Sequence, residues 1–206
     1  MSPLWPGRQH TLTSRLALLT MRALGWTPVL APPPGPKFVA AVAPHTSNMD
    51  FWPGILLALA MRLPMHFLAK RELFTPPLGI LMRALGGMSV DRRKAGGNFV
   101  DAVVAIINRE TELVLAVAPE GTRSRGDYWK TGFYYMALEA GVPIGVTAFD
   151  WGRRQFGMIG YVHPTGNIDA DFAEIRALLQ DVRGRRAGNE TPAFPRPADA
   201  GGPSRS

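Results

Sequence analysis

Short apolar runs that favour β-strands alternate along this chain with longer stretches that favour α-helices. The clearest strand prediction covers residues 113–118, which read Leu-Val-Leu-Ala-Val-Ala, and residues 38–43 form a second buried-strand candidate. Such alternation is typical of parallel strands that are joined by crossover helices. The sequence therefore predicts one α/β domain with a mostly parallel central sheet flanked by helices.

The full set of predicted elements follows the same alternation. Strands are predicted at residues 38–43, 65–69, 88–90, 113–118, 142–149 and 155–162. Helices are predicted at residues 11–24, 50–61, 77–85, 98–109, 131–140 and 171–182. Asp171 and Glu174 have the spacing of a capping box, so we expect them to begin the last helix.

The two ends of the chain carry its excess positive charge. Residues 1–37 have four basic and no acidic side chains, whereas residues 183–206 have five arginines and two acids. We divide the chain into a basic N-terminal segment (1–37) with a short amphipathic helix, a domain (38–183) and a basic tail (184–206). The tail is expected to be disordered because it is poor in apolar residues.

Basic ends of this kind are attracted to anionic lipid head groups or to nucleic acid, although they can also be solvated tails. The neutral middle of the chain and the absence of a recognisable binding module argue against nucleic acid. In the predicted helix at 11–24, Leu12, Leu16 and Leu19 share an apolar face beside Arg15 and Arg22. Such a helix either lies in a membrane interface or packs on the domain. No apolar run reaches the roughly 20 residues of a membrane-spanning helix.

The first chemically active loop follows the strand at 38–43. His45 comes directly after this strand, and Asp50 follows five residues later, where a helix is predicted to begin. A carboxylate next to a histidine fixes its tautomer and stabilises its protonated form, which makes the imidazole a general base for a hydroxyl group. Taken alone, the same spacing also fits a polar turn in which Asp50 caps the helix.

Two further loops carry cationic and hydroxyl side chains. Residues 119–124, Pro-Glu-Gly-Thr-Arg-Ser, follow the strongest strand, and residues 86–94 contain three consecutive cations; Lys70 ends another strand. Backbone N–H groups in a glycine-containing turn and guanidinium groups can bind an anion. Charged surface turns are the alternative for each loop on its own.

Several other chemistries are excluded. The chain has no cysteine, which removes disulfides, thiolate metal sites and a cysteine nucleophile. It has no Gly-x-Ser-x-Gly nucleophile elbow, no P-loop and no Gly-x-Gly-x-x-Gly fingerprint. Its four histidines lack the spacing of metal ligands, so no cofactor is predicted.

Taken in order, these loops resemble the glycerol-3-phosphate and 1-acylglycerol-3-phosphate acyltransferase superfamily. His45 and Asp50 match its His-x4-Asp block, and residues 87–92, preceded by the lysine-bearing stretch 70–73, match its second block. Residues 119–124 and 142–144 match the third and fourth blocks. The resemblance covers about residues 38–150 and implies a glycerolipid-acyltransferase-like fold.

The resemblance implies a role for each matching residue. His45 would deprotonate the acceptor hydroxyl, and Asp50 would orient His45. The residues implied in substrate binding are Lys70, Arg92 and Arg123 for the acceptor phosphate, Glu120, Gly121 and Thr122 for placing the acceptor, and Pro143 for the pocket wall. The acyl group would pass directly from a thioester to the alcohol, so no nucleophilic serine or cysteine is needed.

With the helix at 11–24 and the basic ends available to reach a bilayer, the chain is expected to be a peripheral enzyme on the cytoplasmic face of a membrane. The donor would be acyl-CoA or acyl carrier protein, and lysophosphatidic acid is the first candidate acceptor. Another lysolipid or an amino-acid-headed lipid is the alternative acceptor. A non-catalytic lipid-binding protein that has kept the fold is the alternative from another functional class.

Overall fold

The computed structural model describes residues 4–90 and 99–197. The helices in this part of the chain are α1 (Leu12–Ala23), α2 (Phe51–Met61), α3 (Leu78–Ala84), α4 (Phe99–Arg109), α5 (Gly132–Ala140) and α6 (Ile168–Leu179). The strands are β1 (Thr27–Leu30), β2 (Lys37–Ala43), β3 (Met65–Lys70), β4 (Gly87–Val90), β5 (Leu113–Val117), β6 (Ile144–Asp150) and β7 (Gln155–Val162).

The seven strands form one sheet in the order β1-β7-β6-β2-β5-β3-β4. Every neighbouring pair is parallel except β6 and β7, which are antiparallel. This arrangement confirms the predicted α/β class with a mostly parallel sheet. The sequence prediction missed β1, a four-residue strand containing Pro28. Proline is tolerated there because β1 lies at the edge of the sheet.

The central strand β2 separates two apolar layers. Val39 and Ala41 point toward a core completed by α4, α5 and α6, with Phe133 and Phe172 among its largest side chains. Phe38 and Ala40 point toward a second core that includes residues of α1 and α2. Successive side chains of a strand face opposite sides of a sheet, so the continuous apolar run in β2 reflects burial on both faces.

Helix α6 begins earlier than predicted. It starts at Ile168, and the Asn167 side chain accepts a hydrogen bond from the Ala170 backbone N–H. The prediction of a capping box at Asp171 is therefore wrong. Asp171 is buried, and its carboxylate accepts hydrogen bonds from the Tyr134 hydroxyl and from Thr165. Hydrogen bonds from buried donors stabilise the Asp171 carboxylate more than a capping bond would at a helix end that water can reach.

The segment at 184–197 packs on the domain, so the prediction of disorder is wrong for these residues. Thr191 and Ala193 are buried, and the Trp129 indole N–H donates to the Thr191 carbonyl at 3.0 Å. The Trp129 backbone N–H donates to the Phe194 carbonyl at 2.8 Å. Local composition could not indicate this, because the apolar surface and the donors belong to the rest of the fold. Residues 198–206 lie outside the described part of the chain.

The N-terminal segment also joins the fold. Trp5 and Trp26 are buried, and α1 packs its Ala17 and Met21 face into the core that α2 shares. The opposite face of α1 exposes the predicted leucines. Among the described residues, none of the helices has the length and apolar character needed to cross a bilayer.

Candidate active site

The loop between β2 and α2 brings His45 and Asp50 together. A turn of 3-10 helix at Asn48–Asp50 reverses the chain, so that His45 Nδ1 lies 3.4 Å from Asp50 Oδ2. This distance is longer than a formed N–H···O hydrogen bond, and catalytic contacts of this kind commonly shorten when substrate binds. The predicted pair is therefore present in the described structure.

The Asp50 carboxylate is fully buried and is held at both oxygens. The Ser47 backbone N–H donates to Oδ2 at 2.8 Å, and the Trp151 indole N–H donates to Oδ1 at 3.0 Å. Asp50 precedes α2 but makes no side-chain capping hydrogen bond to that helix. The carboxylate is therefore directed toward His45, and the helix-cap alternative does not describe this loop.

The surroundings of His45 favour its neutral form. Burial lowers the pKa of the imidazole below its ordinary value; Asp50 raises it in part, and Arg123 lowers it further. With Nδ1 facing the Asp50 carboxylate, the neutral tautomer that carries its proton on Nδ1 leaves Nε2 as a proton acceptor. A neutral imidazole oriented in this way can act as a general base.

Glu120 lies behind the loop of residues 44–50, which is the candidate catalytic loop. Its side chain is 3% exposed, and Oε1 accepts a hydrogen bond from the His45 backbone N–H at 2.8 Å. Burial raises the pKa of this carboxyl group to about 7, although the His45 N–H opposes the increase. The contact supports the position of the His45 backbone, and a direct role of Glu120 toward an acceptor stays a prediction.

The residues after Glu120 turn toward solvent at the end of the sheet where β2 and β5 have their carboxyl ends. Gly121 has a φ of +66°, and a Cβ atom there would lie 2.6 Å from the Lys130 side chain, so glycine suits this turn. Thr122 and Arg123 are exposed. The positive charge of Arg123 contributes to lowering the pKa of His45.

The other predicted binding residues are placed less uniformly. Lys70 is the last residue of β3 and therefore lies at the sheet edge to which the loop of His45 belongs. Arg92 lies outside the described residues. Pro143 precedes β6, at the opposite end of that strand from His45, and is not among the residues around the cavity described next. Because β2 and β6 are parallel and their carboxyl ends lie at the site, the structure does not bring Pro143 next to His45. The predicted role of Pro143 in shaping the acyl or acceptor pocket stays a prediction.

An apolar cavity of about 210 Å³ opens next to His45 and Asp50. It lies between α2 and the sheet, with walls from β2, β3, β5, β6 and β7. The rings of Phe149 and Phe156 stack 3.6 Å apart in its wall, and Gly54 of α2 faces both rings. Among the described residues, no cluster of three His, Asp or Glu side chains is arranged to hold a metal ion.

Sequence reasoning missed two contributors to this site. Trp151 follows β6 directly, and a search of every carboxyl strand end would have found it. The segment after α6 gave no signal, yet it contacts the catalytic loop. The Arg186 backbone N–H donates to Thr46 Oγ1 at 3.2 Å, and the Arg185 guanidinium lies 3.5 Å from Ser47 Oγ.

Comparison with known proteins finds relatives among curated lipid enzymes. The chain is 30% identical over 109 residues to 1-acyl-sn-glycerol-3-phosphate acyltransferase from Salmonella typhimurium, covering 50% of this chain and 43% of that protein. It is 38% identical over 80 residues to the protein of the same name from Haemophilus influenzae, covering 36% and 33%. The matches thus span less than half of the length of these relatives.

A solved structure has the same fold. The crystal structure of the 1-acyl-sn-glycerophosphate (LPA) acyltransferase PlsC from Thermotoga maritima aligns with a TM-score of 0.52 at 20% identity, covering 82% of this chain and 75% of that one. The sequence model of the acyltransferase family matches residues 34–148. This range includes β2, the candidate catalytic loop and the loops at 86–94 and 119–124. Because this match covers more than half of the sequence, the chain belongs to the acyltransferase family.

Proposed function

We propose that this protein is an O-acyltransferase that moves a fatty acyl chain from a thioester onto the hydroxyl group of a glycerolipid. The observation that carries the proposal is the placement of His45 and Asp50 beside an apolar cavity. Lysophosphatidic acid is the first candidate acceptor, since the curated relatives are named for that reaction. Acyl-CoA or acyl carrier protein would supply the acyl group.

The reaction requires one base and no covalent enzyme intermediate. Nε2 of neutral His45 takes the proton of the acceptor hydroxyl as its oxygen attacks the thioester carbonyl carbon. The resulting tetrahedral oxyanion collapses, the carbon–sulfur bond breaks, and the imidazolium returns the proton to the leaving thiolate. Asp50 stabilises the imidazolium during the step and orients the ring.

The cavity suits the acyl chain of the donor or of the product. Its lining is mostly apolar, with Phe67, Phe149 and Phe156 among its residues, and within the described part of the chain only His45 and Asp50 add ionisable groups to it. Burial of methylene groups in such a cavity gains about 0.8 kcal/mol each. The carbonyl carbon would then lie at the end of the cavity where His45 stands.

An anionic acceptor head would bind at the rim of the site. Arg123 is exposed and its charge acts on the pKa of His45, and it follows Gly121 and Thr122 in a turn that offers N–H and hydroxyl donors. A guanidinium group binds a phosphate with two parallel hydrogen bonds. Lys70 and Arg92 are the further cations that we propose for this head group.

The enzyme would work at the cytoplasmic face of a membrane as a peripheral protein. Leu12, Leu16 and Leu19 are exposed along one side of α1, and Arg15 and Arg22 are exposed beside them. Apolar side chains that enter the interface and arginines near anionic head groups add their contributions to binding. Helix α1 packs against α2, so the membrane would lie near the helix that walls the cavity.

The first test is thiol release from palmitoyl-CoA in the presence of lysophosphatidic acid. We expect release that requires the acceptor and is lost in His45→Ala. His163→Ala is the matched control, because His163 is exposed and not among the cavity residues. A folded His45→Ala protein with full activity would refute the mechanism. Binding to liposomes without product from any donor would favour the non-catalytic lipid-binding alternative.

A further inference from the structure

Trp151 is the first residue after β6 and contacts the buried side of the catalytic pair. Its indole N–H donates to Asp50 Oδ1 at 3.0 Å. The indole nitrogen is a donor only, so the direction of this hydrogen bond is fixed by chemistry. The bond reaches the oxygen that does not face His45, because Oδ2 is the atom 3.4 Å from His45 Nδ1.

The bond from Trp151 fixes the plane of the Asp50 carboxylate. Rotation about the last side-chain torsion of aspartate has broad minima, so one donor at one oxygen does not define that plane. The Ser47 N–H at Oδ2 and the Trp151 N–H at Oδ1 together do so. Without the indole, Asp50 Oδ1 would also lose its hydrogen-bond donor, and the fully buried side chain gives it no water in exchange.

Trp151 is itself held firmly. Its ring meets the ring of Trp26 edge to face at a centroid distance of 4.8 Å, and the guanidinium groups of Arg154 and Arg185 lie 5.5 and 5.0 Å from its ring centroid. Its backbone N–H donates to the Arg183 carbonyl at 2.9 Å. A donor locked in this way can transmit its own position to the carboxylate.

We propose that Trp151 is a positioning residue for acyl transfer, which acts on His45 through Asp50. The proposal rests on the acyltransferase function proposed above. Trp151 is not among the residues around the apolar cavity, so its indole has no direct part in holding the acyl chain. Its removal should therefore lower kcat and leave KM unchanged for both substrates.

The activity test compares Trp151 with Trp5, a second tryptophan packed in the same apolar core. Trp151→Phe keeps most of the ring but removes the N–H, and we expect kcat to fall by about tenfold or more, as for loss of a hydrogen bond to a charged group. Trp5→Phe is the control and should change kcat less than about twofold, since Trp5 is buried against Phe38, whereas Trp151 donates to Asp50. If Trp151→Phe does not fold, 3-benzothienylalanine at position 151 keeps the ring shape and lacks only the N–H.

A double-mutant cycle separates positioning from general packing. In the Asp50→Ala background, Trp151→Phe should cause no further loss of kcat, because the group through which it acts is already absent. A packing role would give the same relative loss in both backgrounds. Equal losses, or a raised KM in Trp151→Phe, would overturn the proposal.

A second readout does not require turnover and so distinguishes this proposal from the proposed function. The charged groups near the His45 ring are Asp50 and Arg123, with Glu120 behind its backbone N–H. Because Asp50 raises the pKa of His45, a loosened carboxylate should lower that pKa, as followed by NMR titration of the imidazole. A His45 pKa in Trp151→Phe that equals or exceeds the value in Trp5→Phe would refute positioning, whatever the acyltransferase assay shows. Failure of turnover in the wild type, with the expected change in titration, would refute only the proposed function.

Discussion

The buried carboxyl group of Glu120 makes the stability of this fold depend on pH. Its pKa rises from about 4.5 in a free side chain to about 7 in the folded chain, mainly because of burial. Between these values the folded chain keeps a proton that the unfolded chain has released, so rising pH favours unfolding. The contribution of the protonated side chain is fully present below pH 4.5 and is lost as the pH rises through about 7.

The size of this effect follows from the change in pKa. Each tenfold change in a proton dissociation constant corresponds to about 1.4 kcal/mol, so Glu120 should cost the fold about 3 kcal/mol above pH 7. Glu120→Gln cannot ionise, and its amide oxygen can still accept the hydrogen bond from the His45 N–H. The free energy of unfolding of the variant, relative to wild type, should therefore increase by about 3 kcal/mol between acidic and neutral pH.

Urea unfolding followed by circular dichroism measures this difference at a series of pH values. All other ionisable groups are shared by the two proteins, so their contributions cancel in the comparison. Glu174→Gln is the control, because Glu174 is exposed on α6, and it shows what removal of a surface carboxyl group does by itself. A Glu120→Gln difference that stays constant, or that decreases toward neutral pH, would refute the reasoning.

Three further predictions concern activity and binding. Arg123→Gln removes a charge that lowers the pKa of His45, so the acidic limb of the kcat/KM profile should move to higher pH. Gly54→Leu fills space next to the stacked rings in the cavity, and should shift the kcat/KM ratio of long to short acyl thioesters toward short chains by about tenfold or more. Leu16→Glu with Leu19→Glu should weaken binding to anionic vesicles more than about tenfold in a sedimentation assay, because two exposed apolar anchors are lost.

Each of these predictions has a control within the chain. Arg125→Gln changes an exposed arginine two residues beyond Arg123 and should leave the acidic limb in place. Gly132→Leu adds a side chain where no atom lies within 4 Å and should not change chain-length preference. Thr13→Glu adds a charge on α1 without removing an exposed leucine, and it should retain most of the vesicle binding. Equal effects in a variant and in its control would contradict the corresponding prediction.

The central features of the fold were predictable from sequence because burial on both faces leaves a local signature. The run 113–118 and the run 38–43 are apolar without alternation, and both became central parallel strands. The carboxyl ends of parallel strands lie at the same end of a sheet. His45, Lys70 and the loop after β5 each follow or end a strand, so they were expected to lie together there. These inferences need no knowledge of distant contacts.

The features that escaped prediction all depend on distant partners. β1 is stable as a strand because β7 offers it an edge, and its four residues carry no pattern of their own. Asp171 has the spacing of a helix cap, but the Tyr134 hydroxyl, 37 residues earlier in the sequence, binds its carboxylate. Trp151 lies 101 residues from Asp50, a separation that local periodicity cannot connect.

The strand order also determines when the proposed active site can assemble during synthesis. β1 is made early, but its only described sheet neighbour is β7, whose residues begin at Gln155. The catalytic loop is complete at Asp50, yet its contacts with Trp151 and Arg186 await residues made more than a hundred positions later. Contacts of such long sequence separation slow folding and leave apolar strands exposed in the meantime. During most of its translation the nascent chain therefore lacks the residues that complete the proposed site, while its apolar strands stay exposed.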